Sequence, residues 1–461
     1  MYAVPSHSLA RSPRTDPIGP TTTTADPFAE LRPPLGDVAA VRAAERCLEC
    51  GGPYAPAPCT TACPAAIDVP AFVGAVARGE PARAAAAIFA ANLLGGSCAR
   101  VCPVEVLCEG ACVLTKAGFR PVEIARLQRH ATDWALTRGV RSRTLAARTG
   151  RTVAVIGGGP AGLACAGELA ALGHAVTLYE ARPEPGGLVR YAIAPYRQRN
   201  EPLPAEVRQI VELGVRLELR QAIDTPQRLR EIEQAADAVF LGVGMGRDVA
   251  LDVPGVQLLG VWSALAFVES LKTGALDRLR GRVIVVGGGN TAIDVAREAL
   301  RLGAAEATVV YRRTEADMPA HRHEVLEARD EGVRFQWLAS PVRLLGADRL
   351  EGVECRYNRI TRQDGDGRRV VEPVPGTEFV LPADVVITAV GQCLRPELLE
   401  WIPGLGVDRG RIRVDPVTGR TGNPKYFAGG DATNGGGTAV EAVRAGKLAA
   451  RAIDRALREE A

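Results

Sequence analysis

Eight of the eleven cysteines of this 461-residue chain crowd between Cys47 and Cys112. They form two groups, Cys47-x2-Cys50-x8-Cys59-x3-Cys63-Pro64 and Cys98-x3-Cys102-Pro103-x4-Cys108-x3-Cys112. Structural zinc sites usually show paired knuckles with a dozen or more residues between them, whereas dense cysteines with Pro directly after a ligand are the pattern of iron–sulfur sites. An iron–sulfur cube needs four donors around a compact body, and a short loop supplies three of them while a distant residue closes the cage. The spacing therefore points to two 4Fe–4S clusters, with zinc as the alternative. Cys165, Cys355 and Cys393 stand alone and read as small buried side chains.

A second chemistry is written in the glycines. In "RTVAVIGGGPAGLACAGELAALGHAVTLYE" a strand runs into Gly157-Gly158-Gly159-Pro160-Ala161-Gly162 and then a helix. Gly157 turns the chain, Gly159 lets the backbone approach a pyrophosphate, and Gly162 lets helix and strand pack closely. The next strand stops on Glu180, placed to accept from an adenosine ribose. In "GRVIVVGGGNTAIDVAREALRLGAAEATVVYRR" Gly287, Gly289 and Ala292 take the same roles, but the following strand ends on Arg312 and Arg313. Arginines there suit a 2′-phosphate, so NADPH is favoured over NADH. A third cluster, "YFAGGDATNGGGT", ends a strand on Gly430 and Asp431 before a helix near Thr438. Its Asp suits ribityl hydroxyls and its helix dipole suits a reduced flavin ring; with the first unit it completes an FAD site. His321 and His323 in "MPAHRHE" lie two apart, which on a helix would turn them to different faces and to a surface role.

These sites need elements to position them. "DVPAFVGAVARG", "PARAAAAIFAAN" and "PVEIARLQRHATDWAL" have helical spacing, so residues 39–144 are expected to form a small helical domain. After Arg151 strands and helices alternate, as in parallel sheets of βαβ units, and the two glycine stretches resemble each other as an internal duplication. Residues 1–38, rich in Pro, Thr and Ser, are expected to be a mobile or loosely docked arm. A formal net charge of +3 and the lack of basic blocks disfavour nucleic acid. The longest apolar run, Ala84 to Ala99, is broken well short of a membrane span, and the N-terminus lacks the apolar core of an export signal. The expected location is the cytoplasm.

Four phrases, "VAVIGGGPAGL", "LYEARPEPGGL", "VITAVGQ" and "YFAGGD", resemble the two-dinucleotide-domain flavoproteins. The resemblance implies an α/β fold in which a Rossmann-like NAD(P)H domain, 261–391, is inserted in an FAD domain, 145–260 and 392–461. By that likeness Gly159, Pro160, Ala161, Gly162, Leu163, Glu180, Gly187, Leu188, Arg197, Gly430, Asp431 and Thr438 line FAD. Gly288, Gly289, Asn290, Thr291, Arg312, Arg313 and Ala389, Val390 and Gly391 line the nicotinamide nucleotide. No two cysteines after residue 151 are close in sequence, which argues against a disulfide reductase.

The chain from Arg46 onward resembles the NADPH-dependent glutamate synthase β subunit and its relatives, including the N-terminal half of dihydropyrimidine dehydrogenase. "NLLGGSCARVCPVEVLCEGAC" and "PVEIARLQRHATD" carry this likeness. It implies interleaved ligands: Cys47, Cys50, Cys59 and Cys112 for one cluster, and Cys63, Cys102, Cys108 and the amide oxygen of Gln128 for the other. Glutamate synthase β chains carry Glu at the position of Gln128. Cys98 becomes a bystander, and the loop "GGPYAPAP", longer than is usual in the family, must bulge outward. The implied activity is hydride transfer from NADPH to FAD, then single-electron steps through both clusters, with no general acid or base. The implied partner is an FMN-containing dihydropyrimidine dehydrogenase-like subunit, favoured by Gln128, or a glutamate synthase large subunit. The alternatives are a stand-alone NADPH:ferredoxin- or quinone-type reductase and an iron–sulfur redox sensor, the latter disfavoured by the intact nucleotide sites.

Overall fold

In the computed structural model the described residues are 26–140, 143–363 and 369–459, so the first 25 residues of the expected arm lie outside them. The cysteine region is built from short helices, among them Asp37–Ala44, Val69–Ala77, Pro81–Ala91, Gly95–Val101 and Ile124–Thr137. Local chemistry starts them. The Asp68 carboxylate accepts from the Ala71 amide at 3.1 Å, and Pro70 stands in the first turn, where its missing N–H costs nothing. Pro81 opens the next helix in the same way. All three helices expected from apolar spacing form.

Two five-stranded parallel sheets follow. The first runs in the order Tyr426–Ala428, Ala238–Leu241, Thr152–Ile156, Ala175–Glu180, Arg216–Leu219; the second runs Val261–Ser263, Val385–Thr388, Arg282–Val286, Glu306–Tyr311, Arg334–Trp337. Each central strand passes through a glycine turn into a helix, Pro160–Ala171 or Asn290–Arg301, and returns to a parallel neighbour. The duplication in the glycine text is therefore a duplication of fold. The units differ in one crossover. The first uses the helix Pro226–Ala235, the second an antiparallel sheet of Ala339–Leu345, Gly352–Gln363 and Arg369–Pro382. The chain crosses between the two sheets along a short antiparallel pair, Arg247–Asp248 with Gln392–Cys393.

One continuous apolar core joins the cysteine region to the first sheet: Phe72, Ile88 and Leu127 share it with Leu163, Leu178, Ile210 and Val443. Contact is close enough that a Cβ on Gly167 would lie 2.4 Å from Leu93 Cδ1. The second sheet packs around its own core of Phe267, Val285, Ile293 and Val309. Residues 26–38, the described part of the expected arm, run along the joint. Leu31 N donates to the Tyr196 carbonyl (2.9 Å), Arg32 Nη1 to the Cys102 carbonyl (3.0 Å), and Arg129 Nη1 to the Arg32 carbonyl (2.6 Å). Among the described residues no single helix is long and apolar enough to cross a membrane.

Candidate functional site

Cys47, Cys50, Cys59 and Cys112 wall one hollow, closed by Val69, Val73, Leu114 and Ile124. Cys63, Cys98, Cys102, Cys108 and Gln128 wall a second, closed by Ile67, Val104, Leu107 and Val440. The backbone explains the division. Cys59 sits in the single turn Pro58–Ala62, and Cys63 caps that turn in an extended conformation, so the two face different hollows. Cys98 and Cys102 are one turn apart on and just after the helix Gly95–Val101, and share a hollow. The loop between Cys50 and Cys59 bulges outward, with Tyr54 fully exposed.

All eleven thiols are free. Burial pushes the thiols of Cys47, Cys63 and Cys108 up, and that of Cys59 to about 11. For Cys102 contact with the Cys98 thiol raises it most, ahead of burial. Such groups keep their protons until a metal draws them off. Among the described residues no three His, Cys, Asp or Glu side chains converge on one ion-sized point. The donors ring a hollow, an arrangement that fits an iron–sulfur cube. Gln128 Nε2 donates to the Gly95 carbonyl at 2.6 Å, which leaves its Oε1 for the hollow that the side chain lines. Cys98, expected to stand aside, lies on that same wall and is 2% exposed.

The first glycine turn passes a steric test. Gly157 has φ +103° and its Cβ would meet the Gly242 carbonyl oxygen at 2.4 Å; a Cβ at Gly162 would lie 1.9 Å from the Gly157 oxygen. At Gly159, among the described residues, a Cβ meets only Gly187 Cα, 3.9 Å away, so room is kept over the helix N-terminus. Glu180 is held at the strand end, accepting from Gly158 N (2.7 Å) and Arg182 N (2.8 Å). Gly187 and Leu188 close one side of the cradle. Gly430 closes the other, where a Cβ would stand 3.0 Å from Ala161 Cβ. Asp431 follows it, its carboxyl pushed up by burial and accepting from Gly437 N (3.1 Å). Thr438 N and Oγ1 both bond Glu441 ahead of the C-terminal helix Ala439–Glu459.

The second turn repeats the pattern. A Cβ at Gly287 would lie 2.2 Å from the Ala389 carbonyl oxygen, one at Gly288 would lie 2.4 Å from the Tyr311 ring, and one at Gly289 meets nothing within 4 Å among the described residues. The Ala389–Val390–Gly391 segment thus passes beside the turn, and the helix starts at Asn290 and Thr291. Asn290 Oδ1 accepts from His321 N (2.8 Å). Arg312 is exposed at the end of its strand, whereas Arg313 gives its Nε to the Arg369 carbonyl (2.7 Å).

One expectation changes and one residue gains partners. The guanidinium of Arg197 pairs with Asp294 (2.8 Å) and Glu324 (3.0 Å), buried acids that need a cation beside them. His321 and His323 do not diverge, because His321 caps the helix Arg322–Asp330 from outside it, and the two rings stack 5.7 Å apart. His323 Nε2 then reaches Glu105, between Cys102 and Cys108 (3.4 Å).

Three residues at this joint escaped the sequence. Glu206, fully buried, accepts from Gly96 N (2.7 Å), Ser97 N (3.0 Å) and Ser97 Oγ (2.5 Å), and burial pushes its carboxyl up to about 7 against the pull of those donors. Its signal was an acid on the apolar face of Leu203, Val207 and Ile210. Lys447 Nζ donates to the carbonyls of Ala65 and Ala91. At Gly446 a Cβ would lie 2.1 Å from the Ala161 carbonyl oxygen, so the C-terminal helix rides directly on the first dinucleotide helix.

A family profile described as pyridine nucleotide-disulphide oxidoreductase matches residues 151–446, and one described as dihydropyrimidine dehydrogenase domain II, 4Fe–4S cluster, matches residues 24–140. The glutamate synthase [NADPH] small chain of Halomonas elongata is 36% identical over 94% of this chain and 94% of its own length. The NADP(+)-dependent formate dehydrogenase subunit beta of Moorella thermoacetica is 37% identical over 88% of this chain, which spans 61% of that protein. The solved structure of Mycobacterium tuberculosis FprA in complex with NADPH shares the fold, with a TM-score of 0.57 and 23% identity over 67% of this chain and 86% of that one.

Proposed function

The chain belongs to the glutamate synthase small-chain family, oxidoreductase subunits that join a pyridine nucleotide domain to a 4Fe–4S domain, and from that premise we propose that it carries electrons from NADPH, through FAD and two 4Fe–4S clusters, to a catalytic partner subunit in the cytoplasm. The observation that carries this reading is the pair of cysteine-walled hollows, with Val440 of the C-terminal helix on the wall of the second. That helix begins beside Thr438 and seats Gly446 on Ala161, so one element touches both the flavin cradle and the second hollow. The second hollow is then the inner station. The first is the outer one, where Leu48 is 64% exposed.

When bound, FAD converts a hydride into single electrons and the clusters relay them. The chain's own residues hold, orient and insulate. Amides of the Pro160–Ala171 helix take the pyrophosphate over bare Gly159, and Glu180 takes the ribose. Asp431 and Thr438 face the ribityl chain and ring. Gly289, Asn290 and Thr291 take the second pyrophosphate, with Arg312 and Arg313 on the 2′-phosphate. Cys47, Cys50, Cys59 and Cys112 hold the outer cluster, and Cys63, Cys102, Cys108 and Gln128 the inner one. Apolar walls exclude water from both.

The partner read first is a glutamate synthase large subunit, because the match to a small chain covers 94% of this chain and 94% of that protein. An FMN-containing dihydropyrimidine dehydrogenase-like subunit is read second. Gln128 favours it, being an amide where glutamate synthase β chains carry Glu. Anaerobic purification with the candidate partner, followed by NADPH oxidation with glutamine plus 2-oxoglutarate or with uracil, tests both. Colourless protein, or zinc in place of iron and sulfide, ends the proposal.

A further inference from the structure

We propose that Lys447 tunes the inner cluster: carried on the helix that flanks the flavin, its ammonium is bonded to the backbone two residues beyond the ligand Cys63 and raises that cluster's reduction potential. This rests on the two-cluster reading above.

Lys447 lies seven residues, about two turns, beyond Val440 on the C-terminal helix. Its Nζ donates to the carbonyl oxygen of Ala65 at 3.1 Å and to that of Ala91. The Ala65 carbonyl belongs to the peptide whose N–H is that of Ala66, and that N–H donates to the Cys63 carbonyl oxygen at 2.8 Å. One peptide thus has a cation on its oxygen and the carbonyl of the ligand residue on its N–H, and each bond polarises the other, which brings the charge within two residues of the Cys63 thiol. The charge is not cancelled locally. Glu168, the acid that acts on Lys447 most, is already taken by Arg143 Nη1 (2.5 Å) and Arg451 Nε (3.1 Å). Reduction adds negative charge to a cluster, and a cation behind an apolar wall stabilises that added charge. The same contact ties the cage loop to the flavin-side helix, so Lys447 is a positioning residue as well as a charge.

The test is an anaerobic redox titration of the holoenzyme followed by electron paramagnetic resonance, on wild type, Lys447→Met, Lys447→Gln and Lys447→Arg. The inner cluster is identified as the signal that Cys108→Ser removes. In the Met and Gln variants its midpoint is expected to move to more negative potential while the outer cluster's midpoint, iron and FAD content stay put; Arg is expected to keep the wild-type value. NADPH-driven reduction of the inner cluster should slow while flavin reduction does not. Gln retains an N–H for the Ala65 carbonyl without charge, so a wild-type midpoint in Gln overturns the electrostatic role. An unmoved midpoint in Met, at about eight irons per chain, overturns it too. Wild-type protein with only about four irons sinks the two-cluster reading itself, and this inference with it.

Discussion

Two alanine substitutions three residues apart in the same turn separate folding from cofactor binding. A Cβ at Gly162 would sit 1.9 Å from the Gly157 carbonyl oxygen, about 1.5 Å inside ordinary contact, and backbone faces it, so nothing flexible can yield. Gly162→Ala should cost about 1–3 kcal/mol or more in overpacking and lower the thermal midpoint even of flavin-free protein. Gly159 has φ −73° and an open neighbourhood, so Gly159→Ala should leave flavin-free stability within about 1 kcal/mol of wild type. Its methyl, however, stands where a pyrophosphate must approach. Displacing the ligand from two charge-assisted hydrogen bonds, at about 1.5–3 kcal/mol each, weakens FAD binding by about 100- to 20,000-fold. The assays are flavin per chain after dialysis and thermal melting of the apoprotein. A Gly159→Ala protein that retains wild-type flavin affinity would refute the cradle as drawn.

The cage assignment predicts that Cys59→Ser and Cys112→Ser each lower iron from about eight to about four per chain, while Cys98→Ser leaves about eight; iron analysis with labile sulfide decides. Arg312→Ala should raise the KM for NADPH about 10- to 100-fold, the loss of one charged hydrogen bond, and leave NADH nearly unchanged in steady-state kinetics. Glu206 titrates near 7 in the fold against about 4.5 unfolded. Between those values the folded state holds the extra proton, so stability falls as pH rises from about 4.5 to 7, by up to about 3 kcal/mol. Urea midpoints across that range should have a shallower slope in Glu206→Gln, which keeps what the other carboxyls raised by burial, Glu109, Glu298, Glu324 and Asp431, contribute; an unchanged slope removes Glu206 as a source.

What could be read from the chain was whatever chemistry is local. The glycine turns were legible because each glycine is required by an atom a few residues away or by a ligand, as at Gly157 and Gly162. The grouping of the cysteines was legible because Cys47, Cys50 and Cys59 follow one another along a short loop, although Gln128 on the wall of the second hollow came only through family likeness. Glu206 and Lys447 were not legible, because what they hold lies far off in the chain: Gly96 is 110 residues from Glu206, and Ala91 is 356 from Lys447. Gly446 looks neutral inside a helical run, and only the crossing helix explains it. Arg197 was assigned by likeness to the flavin, and its pairing with the buried acids Asp294 and Glu324, about 100 residues on, could not be read from the chain. The antiparallel sheet of residues 339–382 escaped because its strands are largely solvent-facing and carry a weak alternation.

The division of cores bears on how such a chain can work. Single-electron transfer falls steeply with separation, so its stations must keep fixed distances, and both cages share one apolar core with the flavin cradle. A nicotinamide must arrive and leave, and its domain packs on a separate core, reached along one pair of short strands. The joint between the two bodies is polar: Arg197 with Asp294 and Glu324, His323 with Glu105, and Lys272 Nζ on the carbonyls of Val189 (2.9 Å) and Gln198 (3.1 Å). Glu298 is buried beside it without a hydrogen-bond partner on either oxygen among the described residues, and burial drives its carboxyl well up, toward the neutral form. Ion pairs and single hydrogen bonds can be remade in a second arrangement at small cost, whereas a continuous close-packed core cannot slide. The fold therefore confines its freedom of movement to the hydride donor and withholds it from the electron path.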